Sequence, residues 1–211
     1  EEQIPTELLN PVETTITDEA TPSTEDTLTV KLVAWDAVNN VALTSSQIEE
    51  GQTASYKIIA TKPDGTEVTD GTADITFTNG TTQGASDYTA ISKTVNFGET
   101  ITASAVDDMF KESPEKFVVT MSNVTASSYE NVVTGNAVVE TTITDESTPS
   151  TEDTLTVKLV AVDVNGNELL TSAIQEGQTA YYKVVAVKPD GTAVTDGTAD
   201  ITFTNGTTQG A

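Results

Sequence analysis

Apolar residues in this chain recur with a period of two. Leu28, Val30, Leu32 and Ala34 alternate with Thr27, Thr29 and Lys31; Tyr56, Ile58 and Ala60 alternate with Ser55, Lys57 and Ile59; Ile75 and Phe77 alternate with Asp74, Thr76 and Thr78. Val95 with Phe97, then Ile101, Ala103 and Ala105, then Phe117, Val119 and Met121, continue the pattern, and a last strand is expected over 137–143. Such alternation marks strands with one buried face. The punctuation agrees, since Lys62-Pro63-Asp64-Gly65 and Asn79-Gly80 are turn sequences and Gly98-Glu99 separates two strands. No helix-length stretch carries a period of 3.6. Seven or so short strands in ~120 residues predict a two-layer antiparallel β-sandwich.

The chain also repeats itself. Residues 17–34 return as 144–161 with one change, Ala20 to Ser147, and Pro63-Asp64-Gly65-Thr66 returns as Pro189-Asp190-Gly191-Thr192 with one residue lost in between. Most differences fall between Trp35 and Glu49, where a surface loop tolerates an indel. Val12-Glu13-Thr14-Thr15-Ile16 matches Val139-Glu140-Thr141-Thr142-Ile143, so the chain reads as a window on a tandem array. The expected division is a tail of a preceding repeat with its linker over 1–23, a complete sandwich over 24–146, a linker over 147–153 and the first half of the next repeat over 154–211. Pro149 and the acids around it suit a linker. Residues 146–211 alone cannot close a sandwich, so this half needs another chain, or the units are permuted and one spans 86–211.

Composition narrows the chemistry. The net charge is -24, from 33 acids against 9 basic residues that are all Lys. No basic patch exists to displace counterions from a nucleic acid, and an anionic membrane surface would be repelled. Self-repulsion of this size weakens a compact fold unless cations neutralise it. The absence of Cys and His removes thiol and imidazole nucleophiles, the usual zinc ligands and any disulfide framework. No apolar run reaches ~18 residues and no charged and apolar leader follows Glu1, so neither a membrane span nor a signal peptide is expected. An enzyme is not expected either: paired carboxylates hydrolyse glycosides in apolar, aromatic clefts, and the single Trp, Trp35, becomes Val162 in the second copy.

The densest chemistry lies between Val106 and Phe117, where Asp107, Asp108, Glu112 and Glu115 fall close together. Two like charges ~4 Å apart repel by roughly 4 kcal/mol at an effective dielectric of ~20, so converging carboxylates need a counter-ion. Calcium, which takes six to eight oxygens in a flexible shell, is the natural one; a solvated acidic loop is the alternative. The spacing is not that of an EF-hand loop.

With these pieces placed, residues 48–146 resemble the Calx-beta domain, an immunoglobulin-like sandwich of sodium-calcium exchangers, integrin beta-4 and bacterial surface proteins. The resemblance rests on Glu50-Gly51 before a strand, Gly84-Ala85-Ser86-Asp87-Tyr88 after the Asn79-Gly80-Thr81 turn, Phe97-Gly98-Glu99-Thr100 before a strand ending in Asp107-Asp108, then Glu112, Glu115 and Phe117, and Thr142-Ile143-Thr144-Asp145-Glu146 at the close. It implies calcium held at one end of the sandwich by Glu50, Asp87, Asp107, Asp108, Glu112, Glu115 and Asp145, with Glu146 beside them. The closing Asp145-Glu146-Ser147 has fewer acids than some calcium-binding relatives carry there. The acidic, cysteine-free repeats also resemble the extender regions of large bacterial adhesins of the RTX type, although their glycine-rich nonapeptides are absent.

The expected function is therefore a calcium-stabilised extender repeat, extracellular on a bacterial cell surface, whose partners are its neighbouring repeats and which projects a distal ligand-binding region for adhesion or biofilm formation. Two other classes compete. One is calcium sensing, for which near-identical consecutive copies offer little beyond avidity. The other is direct binding of glycan or ice by Thr-rich faces such as Thr72, Thr76 and Thr78, against which stands the strand-forming preference of Thr.

Overall fold

The structure, a computed structural model, describes residues 13–148, 150–151, 153–204 and 206–207. Most of the tail expected over 1–23, together with Pro149 and Glu152 of the second linker, lies outside that range. Among the described residues the regular structure is fifteen strands and one 3-10 turn, Thr24–Asp26. Ser23 caps that turn by accepting the Glu25 N–H on its hydroxyl, while its own N–H is accepted by Asp26.

One sheet runs in the order β11 (Asn131–Thr134), β1 (Thr27–Asp36), β4 (Thr53–Thr61), β9 (Thr100–Ala105), β7 (Tyr88–Ala90); β2 (Val41–Leu43) pairs with β1 and β5 (Glu67–Val68) with β4. The facing sheet runs β3 (Ser46–Glu49), β12 (Val138–Thr144), β10 (Glu115–Thr125), β6 (Thr72–Asn79), β8 (Lys93–Asn96). Pairing is antiparallel except at two places, where β11 lies parallel to β1 and β3 parallel to β12. This is an all-β, immunoglobulin-like sandwich. The period-two pattern becomes its core: Leu28, Val30, Leu32, Tyr56, Ile58, Ile75, Val95, Phe97, Phe117, Val119 and Met121 are all buried in one cluster. At ~25 cal/mol per Å² of apolar surface removed from water, this cluster is the main force closing the two sheets.

Phe117 sits between Phe77 and Tyr88, its ring 4.4 Å from that of Tyr88 and nearly parallel to it. One polar thread also crosses the core. The Tyr56 hydroxyl on β4 meets Thr141 Oγ1 on β12 at 2.5 Å, and Thr141 in turn reaches Ser46 Oγ at 2.8 Å. Trp35 packs at the end of β1 with the Lys57 ammonium 4.2 Å from its ring centre.

A third sheet, β13 (Thr156–Val162), β14 (Tyr181–Val187) and β15 (Ala193–Val194), repeats β1, β4 and β5. Its register is the same residue for residue: Val157 opposes Ala186 as Val30 opposes Ala60.

Candidate metal centre

Topology gathers the acids. The ends of β3, β9 and β12 and the starts of β4, β7 and β10 meet at one pole of the sandwich. Backbone hydrogen bonds lock the connections there. Glu50 N donates to Thr144 O, Ala105 N to Gln52 O and Val106 N to Asp87 O, each over 2.9 Å. The Lys116 carbonyl accepts from the N–H groups of Gly80, Thr81 and Thr82. Gly51, in the left-handed region at φ +73, turns the chain sharply after Glu50, and a side chain there would lie 3.6 Å from the Asp107 Cβ.

Six of the eight acids named from the sequence form two triads. Glu50, Asp107 and Glu146 make one, and Asp87, Glu112 and Glu115 the other; within each, one carboxylate oxygen per residue lies within 4.8 Å of the others. Asp145 and Asp108 belong to neither. Asp145 Oδ1 accepts the Glu112 N–H at 2.9 Å, and Asp108 Oδ1 accepts the Phe110 N–H at 2.7 Å. Both lie near enough to Glu50 and to Glu112 to repel their charges. Glu49 is occupied in the β3–β4 turn, where its N–H and carboxylate engage the Gln52 amide.

The electrostatics describe a pole short of positive charge. Burial pushes the Glu50 carboxyl up to about 7, with repulsion from Asp145, Asp108 and Glu112 adding to it. Glu115 also rises to about 7, first because it shares a hydrogen bond with Asp87, then through burial and the charges of Asp87 and Glu112. Glu112 is raised by burial and by Asp108, Asp87 and Asp145. Burial acts against the Asp87 carboxylate too, but the Gln83 N–H and the side chains of Glu115 and Ser86 outweigh it and hold Asp87 below its ordinary value. Glu115 and Asp87 thus share what a proton or a cation must supply.

Two oxygens test whether a cation fits. Asp107 Oδ1 and Glu115 Oε2, one in each triad, are buried and have no hydrogen-bond partner. A buried carboxylate oxygen without a partner costs free energy that a bound cation would return. The donor set is all oxygen and mostly anionic, which suits a hard cation such as calcium and not a thiophilic metal.

A third group escaped the sequence reading. Glu19, Asp26 and Glu130 bring carboxylates together at the opposite pole, beside the start of β1. The repeat was the available signal, because Glu19 and Asp26 stand where Glu146 and Asp153 stand in the second copy. Asp18 also hydrogen-bonds Glu130 and raises its carboxyl.

The outward face of the second sheet carries no regular Thr array. Across β6 and β10, Thr76 opposes Thr120, but the rows on either side hold Asp74 with Ser122 and Thr78 with Val118, and β12 adds Glu140.

Neither a protein-family model nor a curated protein matches the chain. Among solved structures it is similar to the crystal structure of the apo form of the Calx CBD1 domain, 13% identical, with 56% of this chain and 97% of that chain covered and a TM-score of 0.44. It is also similar to the crystal structure of CBD12 from CALX1.2, 11% identical, with 75% and 70% covered and a TM-score of 0.42.

Proposed function

We propose that residues 24–146 form a calcium-stapled sandwich unit, one bead of a tandem array that serves as a stiff spacer in a large adhesin on a bacterial cell surface. The observation that carries this reading is the Glu50, Asp107 and Glu146 triad, which combines two pole residues of the sandwich with the second of the two acids, Asp145 and Glu146, that follow β12. A cation held there ties the departing segment to the bead. The Asp87, Glu112 and Glu115 triad, fixed through Glu112 to Asp145, would staple the pole itself.

Each residue has a separate task. Glu50, Asp107 and Glu146 would hold one ion and Asp87, Glu112 and Glu115 another, while Asp108 and Asp145 shape the loop by accepting backbone N–H groups and add to the negative field. The ion supplies charge neutralisation and cross-linking. An ion that binds only the folded state stabilises it by about 2.7 kcal/mol at a hundredfold excess over its dissociation constant. Extracellular modules bind calcium at about 10⁻⁴ to 10⁻³ M, so such a bead is firm outside a cell and loose in calcium-poor cytoplasm. That contrast suits export of an unfolded chain.

The test is thermal unfolding in calcium, in magnesium and in chelator at equal ionic strength, paired with small-angle scattering. Stabilisation by calcium well beyond that by magnesium, with a calcium-dependent narrowing of chain dimensions, is expected. Equal effects of the two cations would reduce the pole to a solvated acidic surface, because magnesium keeps its waters and demands tighter geometry.

A further inference from the structure

The third sheet presents an apolar face that its counterpart buries. Leu155, Val157 and Leu159 are 38%, 54% and 53% exposed, whereas Leu28, Val30 and Leu32 at the same positions of the repeat are 1%, 0% and 0% exposed. Tyr182 and Val184 on β14 are 42% and 36% exposed, against 0% for both Tyr56 and Ile58. The paired strands keep the same register and alternation; what β13 and β14 lack among the described residues is the facing sheet, together with the in-sheet neighbours that β11 and β9 give β1 and β4. The aromatic contacts identify that layer. Tyr182 and Phe203 already meet with ring centres 5.7 Å apart, as Tyr56 and Phe77 do at 6.0 Å. In the complete sandwich the next ring is Phe117 on β10, and the Tyr56 hydroxyl bonds Thr141 on β12. Among the described residues nothing supplies either group to Phe203 or Tyr182.

We infer that the open face of β13 and β14 is the inner face of a second sandwich, and that its occupant is a second copy of the segment 86–146. That segment carries β7 to β12, hence Phe117, Val119 and Met121 for the apolar positions and Thr141 for the tyrosine hydroxyl. Two open faces of this kind packed together would fit worse. They would bury the Tyr182 hydroxyl with no counterpart of Thr141, and buried tyrosines find hydrogen-bond partners. Glu176, at the position of Glu50, would then sit where the completed unit gathers its own acidic pole.

The experiment appends a second copy of residues 86–146 after Ala211 and follows backbone hydrogen exchange in calcium and in chelator. Exchange across Thr156–Val162 and Tyr181–Val187 is expected to slow about tenfold or more in at least one condition, relative to the unextended chain. Phe117→Asp in the appended copy alone should return those amides to their original rates while β1 and β4 stay protected. Unchanged exchange of β13 and β14 in both conditions, with the first sandwich intact, overturns the inference. Because exchange is read with and without calcium, this outcome is independent of whether the pole binds the ion.

Discussion

The Glu112 backbone N–H donates to Asp145 Oδ1 over 2.9 Å, joining the acidic loop before β10 to the chain as it leaves β12. The two residues are 33 apart in sequence, so one bond fixes the position of a loop that carries one member of each triad, Asp107 and Glu112. Asp145 therefore contributes an acceptor and a charge, and these can be separated. Asp145→Ala removes both and should lower stability in chelator by about 1.5–3 kcal/mol, the range for hydrogen bonds to charged groups. Asp145→Asn keeps an acceptor, and should leave the chelator value within about 1 kcal/mol of the parent. Urea unfolding of both variants decides this, and equal losses would mean that the charge and not the bond holds the loop.

Glu115→Gln should act in opposite directions with and without calcium. In chelator the parent holds the Glu115 carboxyl against Asp87, and the amide replaces that repulsion with a donor, so the melting temperature should hold or rise. In calcium the variant has lost a ligand from a triad with a buried, unpartnered oxygen, so most of the calcium-dependent rise should vanish. A variant that melts lower in chelator and keeps the full calcium response would show Glu115 to be purely structural.

The pH dependence follows from the two carboxyls raised to about 7, Glu50 and Glu115. In the unfolded chain a Glu titrates near 4.5, so between there and about 7 the folded state binds more protons than the unfolded state. Stability then falls as pH rises through this window. The carboxyls held low, such as Asp87 and Asp74, act only below the ordinary aspartate value of 3.8 and leave this slope intact. In chelator, melting at pH 5 should therefore exceed melting at pH 8, and calcium should flatten or reverse the trend by taking the place of the protons. A rising profile in chelator would contradict the crowded pole.

Tyr56→Phe separates the core from the pole. It removes the hydroxyl that meets Thr141 inside the sandwich while leaving Thr141 its bond to Ser46. A loss of about 1–2 kcal/mol is expected in calcium and in chelator alike. Calcium titration followed by melting should show an unchanged increment, and a reduced one would reveal coupling between this thread and the metal centre.

How much could be read without coordinates depended on which force set each feature. Leu28, Val30 and Leu32, or Phe117, Val119 and Met121, announce themselves because a half-buried strand must alternate. The short strands β2, β3, β5, β7 and β11 do not, since two to four residues carry no period and their pairing is decided by what lies beside them. Ser46–Glu49 is a strand because β12 offers it a parallel edge, which is a tertiary fact. The same distinction holds at the pole. The acids themselves were visible, but not their grouping, because Glu50 and Glu146 meet only through the crossing of β3 into β4 and the exit of β12. Glu130 went unnoticed for want of neighbouring acids in sequence, although its partners Glu19 and Asp26 lay in the repeated linker.

Glu146 distinguishes a stapled bead from a stiff array. It is the one member of its triad that lies beyond β12, on the segment leading to the repeated strands, whereas Glu50 and Asp107 belong to the pole of the sandwich. Glu146→Gln keeps the length and hydrogen-bonding capacity of the side chain and removes one charge. The Asp87, Glu112 and Glu115 triad is untouched, so calcium should still raise the melting temperature of the sandwich, by somewhat less than in the parent. Orientation should respond more strongly. In the parent, adding calcium should narrow the distribution of distances between a probe on the first sandwich and one on β13; in the variant the distribution in calcium should match that in chelator. If it narrows as in the parent, the departing segment is held by packing alone, and calcium at this pole serves the fold of the bead without setting the angle to its neighbour.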